Sequence, residues 1–413
     1  MTLDERIQTI SGRHEKMLGS VIEFPTLDAL PDYVKGQLAK FDRHSNKSKI
    51  LALYYGGTLG MEYVQLEGAK VLAASNDVDR LLKPLKERGL EDKIEVVWFP
   101  VLNKAIDSTN GRWPHWVSIA NGIELLYDHF DGFVVAGGTD TMSYLMAAMH
   151  FIFPNIGKPI IGAAAQQAIG DWGEDAVRNL TFALQAATED LSGAHLAFYD
   201  NLRHGLHLFK IRDKGYNAFD SPDKYRIGKF EQGNVELFGD YPRRFQVINK
   251  SNLKVNRNFL DGIFPTEISP FVYADSLLHM AQDPLTVAIL LKTYGAGNAR
   301  DLSIFERDPT HIEVLKKLHE QQFPVILGSP MQDGVVESPY ESGEKAILAG
   351  AISGGNTTGS TLHVKISRAL YNAWDAKTGL DYGRFRREMY YNHVGEFDER
   401  IKDRMNSPIK TGK

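Results

Sequence analysis

Apolar residues fall along the chain in two recurring patterns. Short unbroken runs end in glycine or hydroxyl residues, and longer stretches repeat at helical spacing. Lys49 to Tyr55 (KILALYY), Ile94 to Phe99, Phe133 to Ala136, Lys158 to Gly162 and Leu196 to Tyr199 are runs of the first kind. They predict strands buried on both faces. Between them, apolar residues at 116, 119, 123, 126 and 130 predict an amphipathic helix over Trp116 to Phe130. A second helix follows Ala136, with Tyr144, Leu145, Ala148, Phe151 and Ile152 on its apolar face, and a third starts at Asp175. Strand and helix alternating over Lys49 to about Ser221 predict a mostly parallel sheet covered on both faces. The stretch from Pro222 to Arg257 is charged, aromatic and poorly periodic, and reads as a connection. A second α/β unit follows, with strands at Asp261 to Phe264, Val287 to Lys292 and Pro324 to Leu327 and helices over Ile312 to His319 and Ser360 to Asn372. Residues 1–48 are polar and helical, with breaks at Pro25 and Pro31, and read as an extension that packs on a neighbour or on the body. The expected division is therefore 1–48, 49–221, 222–257 and 258–413.

The run at residues 133–144, FVVAGGTDTMSY, is the one around which the rest is organised. A strand enters a glycine pair, and Thr139, Asp140, Thr141 and Ser143 follow where a helix begins. Open α/β sheets place ligands at this kind of junction. Gly137 and Gly138 allow a sharp turn and close approach of backbone to a substrate. The hydroxyls and the carboxylate could be no more than helix caps, but a single cap needs one such residue. The end of the first strand echoes this junction with Gly56, Gly57 and Thr58. It has neither the Gly-Lys-Ser/Thr of a phosphate loop nor the dinucleotide-binding spacing, which argues against a nucleotide.

Composition narrows the chemistry. The 413 residues, 43% of them hydrophobic, suffice for two domains. A balance of 47 basic against 52 acidic side chains, −5 overall, is too mild to imply nucleic acid or an anionic membrane as partner. The absence of cysteine removes thiol nucleophiles, disulfides and Cys-ligated metals. His204 and His207 read as structural, and no spacing suggests a metal site. The start, MTLDERIQTISGRHEKM, is charged and lacks an apolar signal region, so the expected setting is the cytoplasm.

Seven motifs in order resemble the bacterial-type asparaginases, closest to the cytoplasmic type I branch. They are YYGGTLG at 54–60, GGTDTM at 137–142, GKPIIG at 157–162, EDAVRNL at 174–180, NAFDSP at 217–222, LKTYGAGNA at 291–299 and ILAGAISGGNTT at 347–358. The resemblance implies a flavodoxin-like N-terminal domain with a parallel sheet and a smaller C-terminal α/β domain. It also implies an amidohydrolase acting on L-asparagine, without metal or organic cofactor, as a homodimer or homotetramer. By the same resemblance Thr58 is the nucleophile, with Thr139, Asp140 and Lys210 activating a hydroxyl or water. Lys210 lies nine residues before Phe219 of the FDSP run. Ser108, with Thr109 beside it, would bind the substrate carboxylate, and Gly57 and Gly138 would line the site. A partly buried lysine gives up its proton more easily, which suits a base. Tyr63, five residues after Thr58, is the catalytic candidate for the tyrosine that assists the nucleophile; in the family that tyrosine falls further on, so the resemblance implies an altered lid. Glu337 is the acidic residue that would reach a neighbouring subunit's site. Phe209 and Pro330 occupy places that the type I effector pocket fills with a threonine and a cysteine, which implies that this regulation is missing. Two other readings stand beside the hydrolase. One is the amidase subunit of a tRNA-dependent amidotransferase, disfavoured by the helical 1–48. The other is a non-catalytic amino-acid binder, which would need no lysine base.

Overall fold

The computed structural model describes residues 1–18, 22–42, 45–75, 77, 81, 86, 88–168, 175–239, 246–303, 308–337, 340–357 and 359–396. It divides into two units, one of Ser20–Arg257 and one of Met1–Gly19 with Asn258–Lys413. The helices of the first unit and of the chain start are α1 (Leu3–Leu18), α2 (Asp32–Lys40), α3 (Trp113–Leu126), α4 (Thr139–Ile152) and α5 (Asp175–Ala186).

In the unit of residues 20–257 the strands are β1 (Ser48–Tyr54), β2 (Glu62–Leu66), β3 (Ala69–Ala73), β4 (Ile94–Pro100), β5 (Gly132–Ala136), β6 (Pro159–Ala163), β7 (Gly193–Phe198), β8 (Asn201–His204), β9 (Phe209–Lys210), β10 (Phe219–Asp220), β11 (Arg226–Glu231) and β12 (Asn234–Leu237). Eight of them form one sheet in the order β12-β11-β8-β7-β6-β5-β1-β4. Strands β4, β1, β5, β6 and β7 run parallel, with Leu51 opposite Phe133 and Val97, and β8, β11 and β12 continue antiparallel. All five residues of β5 and of β6 are buried, because helices cover both faces. One face carries Ile50, Ala52, Trp98, Val134 and Ile161 against Leu180 and Leu184 of α5. Parallel pairing brings the C-terminal ends of β1, β5 and β6 to one edge, and that shared edge positions the site.

The structure departs from the expected division at both flanks of this unit. Residues 222–257 are more than a connection, since β11 and β12 extend the large sheet. Ile227 and Phe230 are buried, with a register shift between Arg226 and Gly228, while Lys229 pairs with Glu231 and Glu236. The charges and the register shift hide this strand in the sequence. Residues 1–48 are shared between the two units. Gln37 of α2 accepts from Trp98 N and donates to Trp98 O of β4, whereas α1 buries Ile7 and Ile10 with Leu260, Val287, Ile366 and Phe385.

The second unit holds a four-stranded parallel sheet, β13 (Ile263–Glu267), β14 (Ala288–Lys292), β15 (Val325–Gly328) and β16 (Ile352–Ser353), paired in sequence order. Helices α6 (Ser276–Met280), α7 (His311–Glu320), α8 (Glu341–Leu348), α9 (Gly359–Ala373) and α10 (Tyr382–Tyr390) accompany it. The molecule is thus α/β, with a large parallel-dominated sheet and a smaller parallel one. Glu174 of the EDAVRNL motif, Thr358 of the glycine- and threonine-rich motif, and residues 169–173 of the loop after β6 lie outside the described residues. Among the described residues no helix is long and apolar enough to cross a membrane.

Candidate active site

At the ends of β1 and β5 the chain turns on glycines that lock into one another. Gly57 has φ +83°, and a β-carbon there would lie 2.0 Å from Gly138 N. A β-carbon on Gly138 would lie 2.3 Å from Ser108 Oγ. Only residues without side chains let these three turns meet, so the glycine pairs are packing requirements as well as turn formers. Gly57 N–H donates to Ile106 O at 2.9 Å and Ile106 N–H to Tyr55 O at 3.0 Å, which stitches the loop carrying Ser108 to the end of β1.

Thr58 opens a short 3₁₀ turn, Thr58–Gly60, and is half-buried. Thr139 is the first residue of α4 and is buried. Gly138 at the cap position gives α4 no side-chain hydrogen bond. The Thr141 hydroxyl and the Asp140 carboxylate are engaged elsewhere: Thr141 Oγ1 donates to Ser108 O at 3.1 Å, and Asp140 faces Ser108 and Lys210. Ser108, itself buried, donates from Oγ to Asp140 Oδ2 at 3.5 Å. Lys210 Nζ meets Asp140 Oδ1 at 2.5 Å. The strand end of β1, the loop at 108, the start of α4 and strand β9 therefore converge. Gly57, Ser108, Gly138, Asp140 and Lys210 are brought together by these contacts, and the neighbours Thr58 and Thr139 start the two elements that flank them.

The charge state of Lys210 differs from the one expected of a buried lysine. Burial pushes its proton affinity down, but hydrogen bonds and charges from Asp140 and Asp213 outweigh it, and the net direction is up. Only 18% of the side chain is exposed, and two carboxylates hold the ammonium in place. Lys210 rests as a cation, and any proton it accepts must be matched by one it gives.

The other expected residues are placed differently. Thr109 is exposed, and its N–H and hydroxyl donate to Asp107 Oδ1 at 2.8 and 2.9 Å, so the hydroxyl serves the turn. Tyr63 lies on the ribbon of β2 and β3, 47% exposed, with the Lys70 ammonium 4.2 Å from its ring centroid. Glu337 belongs to the other unit, one residue after Val336, whose N–H donates to Gly355 O. Two contributors went unnoticed in the sequence. Tyr55 reads as one more apolar position of β1, yet its buried ring lies where a β-carbon on Gly137 would come within 2.0 Å. Burial pushes its phenol up to about 12, against the pull of the Thr141 hydroxyl and the Gly138 backbone. Asp213, three residues past Lys210, is the second carboxylate, 3.2 Å away. Among the described residues no group of three His, Asp or Glu side chains is arranged to hold a metal ion.

A serine and a lysine–carboxylate pair thus meet around interlocked glycine turns at the edge of a parallel sheet, with a threonine opening each of the two flanking elements. The family model for the asparaginase N-terminal domain matches residues 49–243. An L-asparaginase of Dirofilaria immitis is 27% identical over 352 residues, 78% of this chain and 57% of that one. L-asparaginase 1 of Escherichia coli is 27% identical over 353 residues, 85% of this chain and 98% of that one. The solved structure of the thermostable L-asparaginase from Thermococcus kodakarensis superposes with a TM-score of 0.71 at 27% identity, covering 85% of this chain and 99% of that one. The chain is thus similar to L-asparaginases over most of its length, and residues 49–243 match the family's N-terminal domain.

Proposed function

We propose that the chain hydrolyses the side-chain amide of L-asparagine to L-aspartate and ammonia. The observation that carries this reading is the Lys210–Asp140 contact at 2.5 Å, set beside the junction where Gly57 abuts Gly138. In this reading the pair transfers protons beside the two elements that Thr58 and Thr139 begin, at adjacent strand ends.

In this reading Thr58 Oγ attacks the amide carbon. A threonine hydroxyl is a weak nucleophile alone and needs a relay to take its proton. Thr139, Lys210 and Asp140 form that relay: as the Lys210 ammonium gives a proton to the amide nitrogen, it regains the one leaving Thr58. The C–N bond breaks, ammonia departs and an ester on Thr58 remains. Water then attacks the ester carbon, its proton returns to Thr58 Oγ, and aspartate is released. First-turn N–H groups of α4, which Gly138 leaves without a side-chain cap, stabilise the negative charge on the carbonyl oxygen. Ser108 binds the α-carboxylate, and Asp140 also faces the α-ammonium. Tyr63, on its ribbon, serves as the lid residue. The working form is a homodimer or homotetramer in the cytoplasm, with Glu337 of one copy at the site of the next.

Ammonia release from L-asparagine and from L-glutamine by the purified chain tests this. Turnover of asparagine that disappears in Thr58→Ala is the expected result, and an inert wild type would refute it.

A further inference from the structure

Asp140 is not the only anion on Lys210. Strand β9 pairs antiparallel with β10, Lys210 opposite Phe219, and residues 211–218 form the loop between them. Ile211 N–H donates to Ala218 O at 2.8 Å and closes the loop at its base, and Gly215, at φ +91°, turns it. Side chains from the end of β6 fasten it from outside. Gln166 Nε2 donates to Arg212 O at 3.4 Å, and Tyr216 OH donates to Gln167 Oε1 at 3.3 Å. The Tyr216 ring also stacks on Tyr199, with centroids 6.1 Å apart. A loop anchored at three points presents Asp213 to Lys210, Oδ1 to Nζ 3.2 Å, while the Asp213 side chain is itself 90% exposed.

We propose that Asp213 is a positioning residue for the reaction: it holds the Lys210 ammonium by an ion pair of its own and so sets the pH at which that head exchanges its proton. The inference rests on the asparaginase reading of Lys210. Two carboxylates from different elements face the ammonium, Asp140 from α4 and Asp213 from the β9–β10 loop. Behind Asp140 stands the Ser108 hydroxyl, and Asp220, opposite Phe209, is spent on Arg203 at 2.8 Å. Asp140 is built into the site and cannot vary without disturbing it. Asp213 is exposed and touches the chemistry only through Lys210, which suits it to adjusting that group. A second anion holds a cation more firmly, so removing it lowers the pH of proton loss. An exposed partner is worth what a surface pair is worth, which corresponds to about half a pH unit, or about threefold in rate on the affected limb.

The test uses Asp213→Asn and Asp213→Glu in the full chain with two readouts. One is the titration of Lys210, followed by NMR on ¹³Cε-labelled lysine and assigned through Lys210→Arg. The other is the pH profile of kcat/KM for ammonia release from L-asparagine. The expected result is that Lys210 in Asp213→Asn titrates about half a pH unit lower, the lysine-dependent limb of the profile moves with it by about threefold in rate, and Asp213→Glu restores both. An unchanged titration in Asp213→Asn overturns the proposal, as does a shifted titration with an unmoved rate limb. A wild type silent on both amides sinks the asparaginase reading instead, and the titration then decides the role of Asp213 by itself.

Discussion

Each unit of the molecule contains a lysine drawn to a carboxylate, and the two pairs are built in opposite ways. In the unit of residues 258–413, Lys365 and Glu396 are 2% and 0% exposed and meet at 2.7 Å. Lys365 also donates to Tyr391 O at 3.0 Å, and Glu396 accepts from Val394 N at 2.8 Å and His393 N at 3.1 Å. Both heads are sealed from water and tied to backbone, which fixes the segment after α10 onto α9. In the other unit, Lys210 meets carboxylates that are 43% and 90% exposed. That pair borders a serine, two threonines and interlocked glycine turns, where a small molecule can approach. The same ion pair is a clamp when its surroundings are closed and complete, and a reactive group when its surroundings are open.

The largest expected effect lies at the open pair. Thr58→Ala and Thr139→Ala should each cut turnover by at least about a hundredfold, the scale of losing one group that acts in the transition state. Stability should change little for Thr58, which is half-buried at a turn, and by about 1 kcal/mol for Thr139, which is buried but small. Steady-state ammonia release with urea unfolding on the same preparations checks both halves. Near-native turnover in either variant would show that its threonine only shapes the turn.

Exchanging the two lysines for methionine probes the contrast directly. Lys365→Met leaves Glu396 buried without its partner, and breaking such a pair costs about 3–5 kcal/mol. The loss should appear in the unfolding midpoint. Lys210→Met should abolish turnover while costing no more than about 1 kcal/mol, as for a partly exposed pair. Lys210→Arg should be nearly as inactive, since a guanidinium holds its proton at any working pH. An active Arg variant would mean that the site uses positive charge without proton transfer.

A smaller and sharper effect is the pH dependence of the closed pair. Burial pushes Glu396 up, but the Lys365 charge and hydrogen bond, with the Val394 N–H, outweigh it, and the carboxyl is held below its ordinary value. A depressed folded value means that stability is present above the unfolded value, about 4.3 for glutamate, and is lost as pH falls below it. In Lys365→Met burial is opposed only by the backbone N–H groups of Val394 and His393, Glu396 should be raised, and stability should improve as pH falls towards that value. Urea unfolding from pH 7 down to about pH 3 should therefore show the Glu396 contribution level in wild type until about pH 5 and falling below it, whereas the variant gains stability as pH falls towards about 4.3. Parallel slopes would mean that water reaches Glu396.

What the sequence disclosed follows from the same distinction between closed and open surroundings. Strands buried on both faces, such as β1, β5 and β6, stand out as unbroken apolar runs whatever the rest of the fold does. The residues that end them, Gly57, Gly138 and Asp140, inherit that legibility because position at a strand end is local information. Strands with one wet face are harder to see. Lys229, Glu231 and Glu236 masked β11 and β12, and the largely exposed ribbon of β2 and β3 offers no buried run to read. Partners across the fold are harder still. Burial alone argued for a lysine that sheds its proton; the reverse follows from Asp140 together with Asp213, and only the closure of the 211–218 loop brings Asp213 to Lys210. Tyr55 was hidden for the opposite reason, since a tyrosine ending an apolar run looks like core until Gly137 is seen against its ring.

The smallest effect is expected at Thr109, where the contrast between closed and open applies within a single turn. Asp107 Oδ1 accepts from both the N–H and the hydroxyl of Thr109, so the hydroxyl is committed to the turn. The N–H bond survives any substitution there except proline. Thr109→Ala therefore removes one exposed hydrogen bond of two, worth about 0.5–1 kcal/mol at most, and should change KM for L-asparagine by no more than about fivefold with kcat unchanged. Thr109→Gln makes the same cut but adds an amide carbonyl long enough to meet an α-ammonium. It should lower KM relative to Thr109→Ala, although less than a carboxylate would, because charge-assisted bonds are the stronger kind. Comparing the two variants on L-asparagine and on an N-acylated asparagine separates these contributions. If Thr109→Gln gains nothing on the free amine over the acylated compound, the ammonium is held elsewhere, and Asp140 carries its recognition without help from this turn.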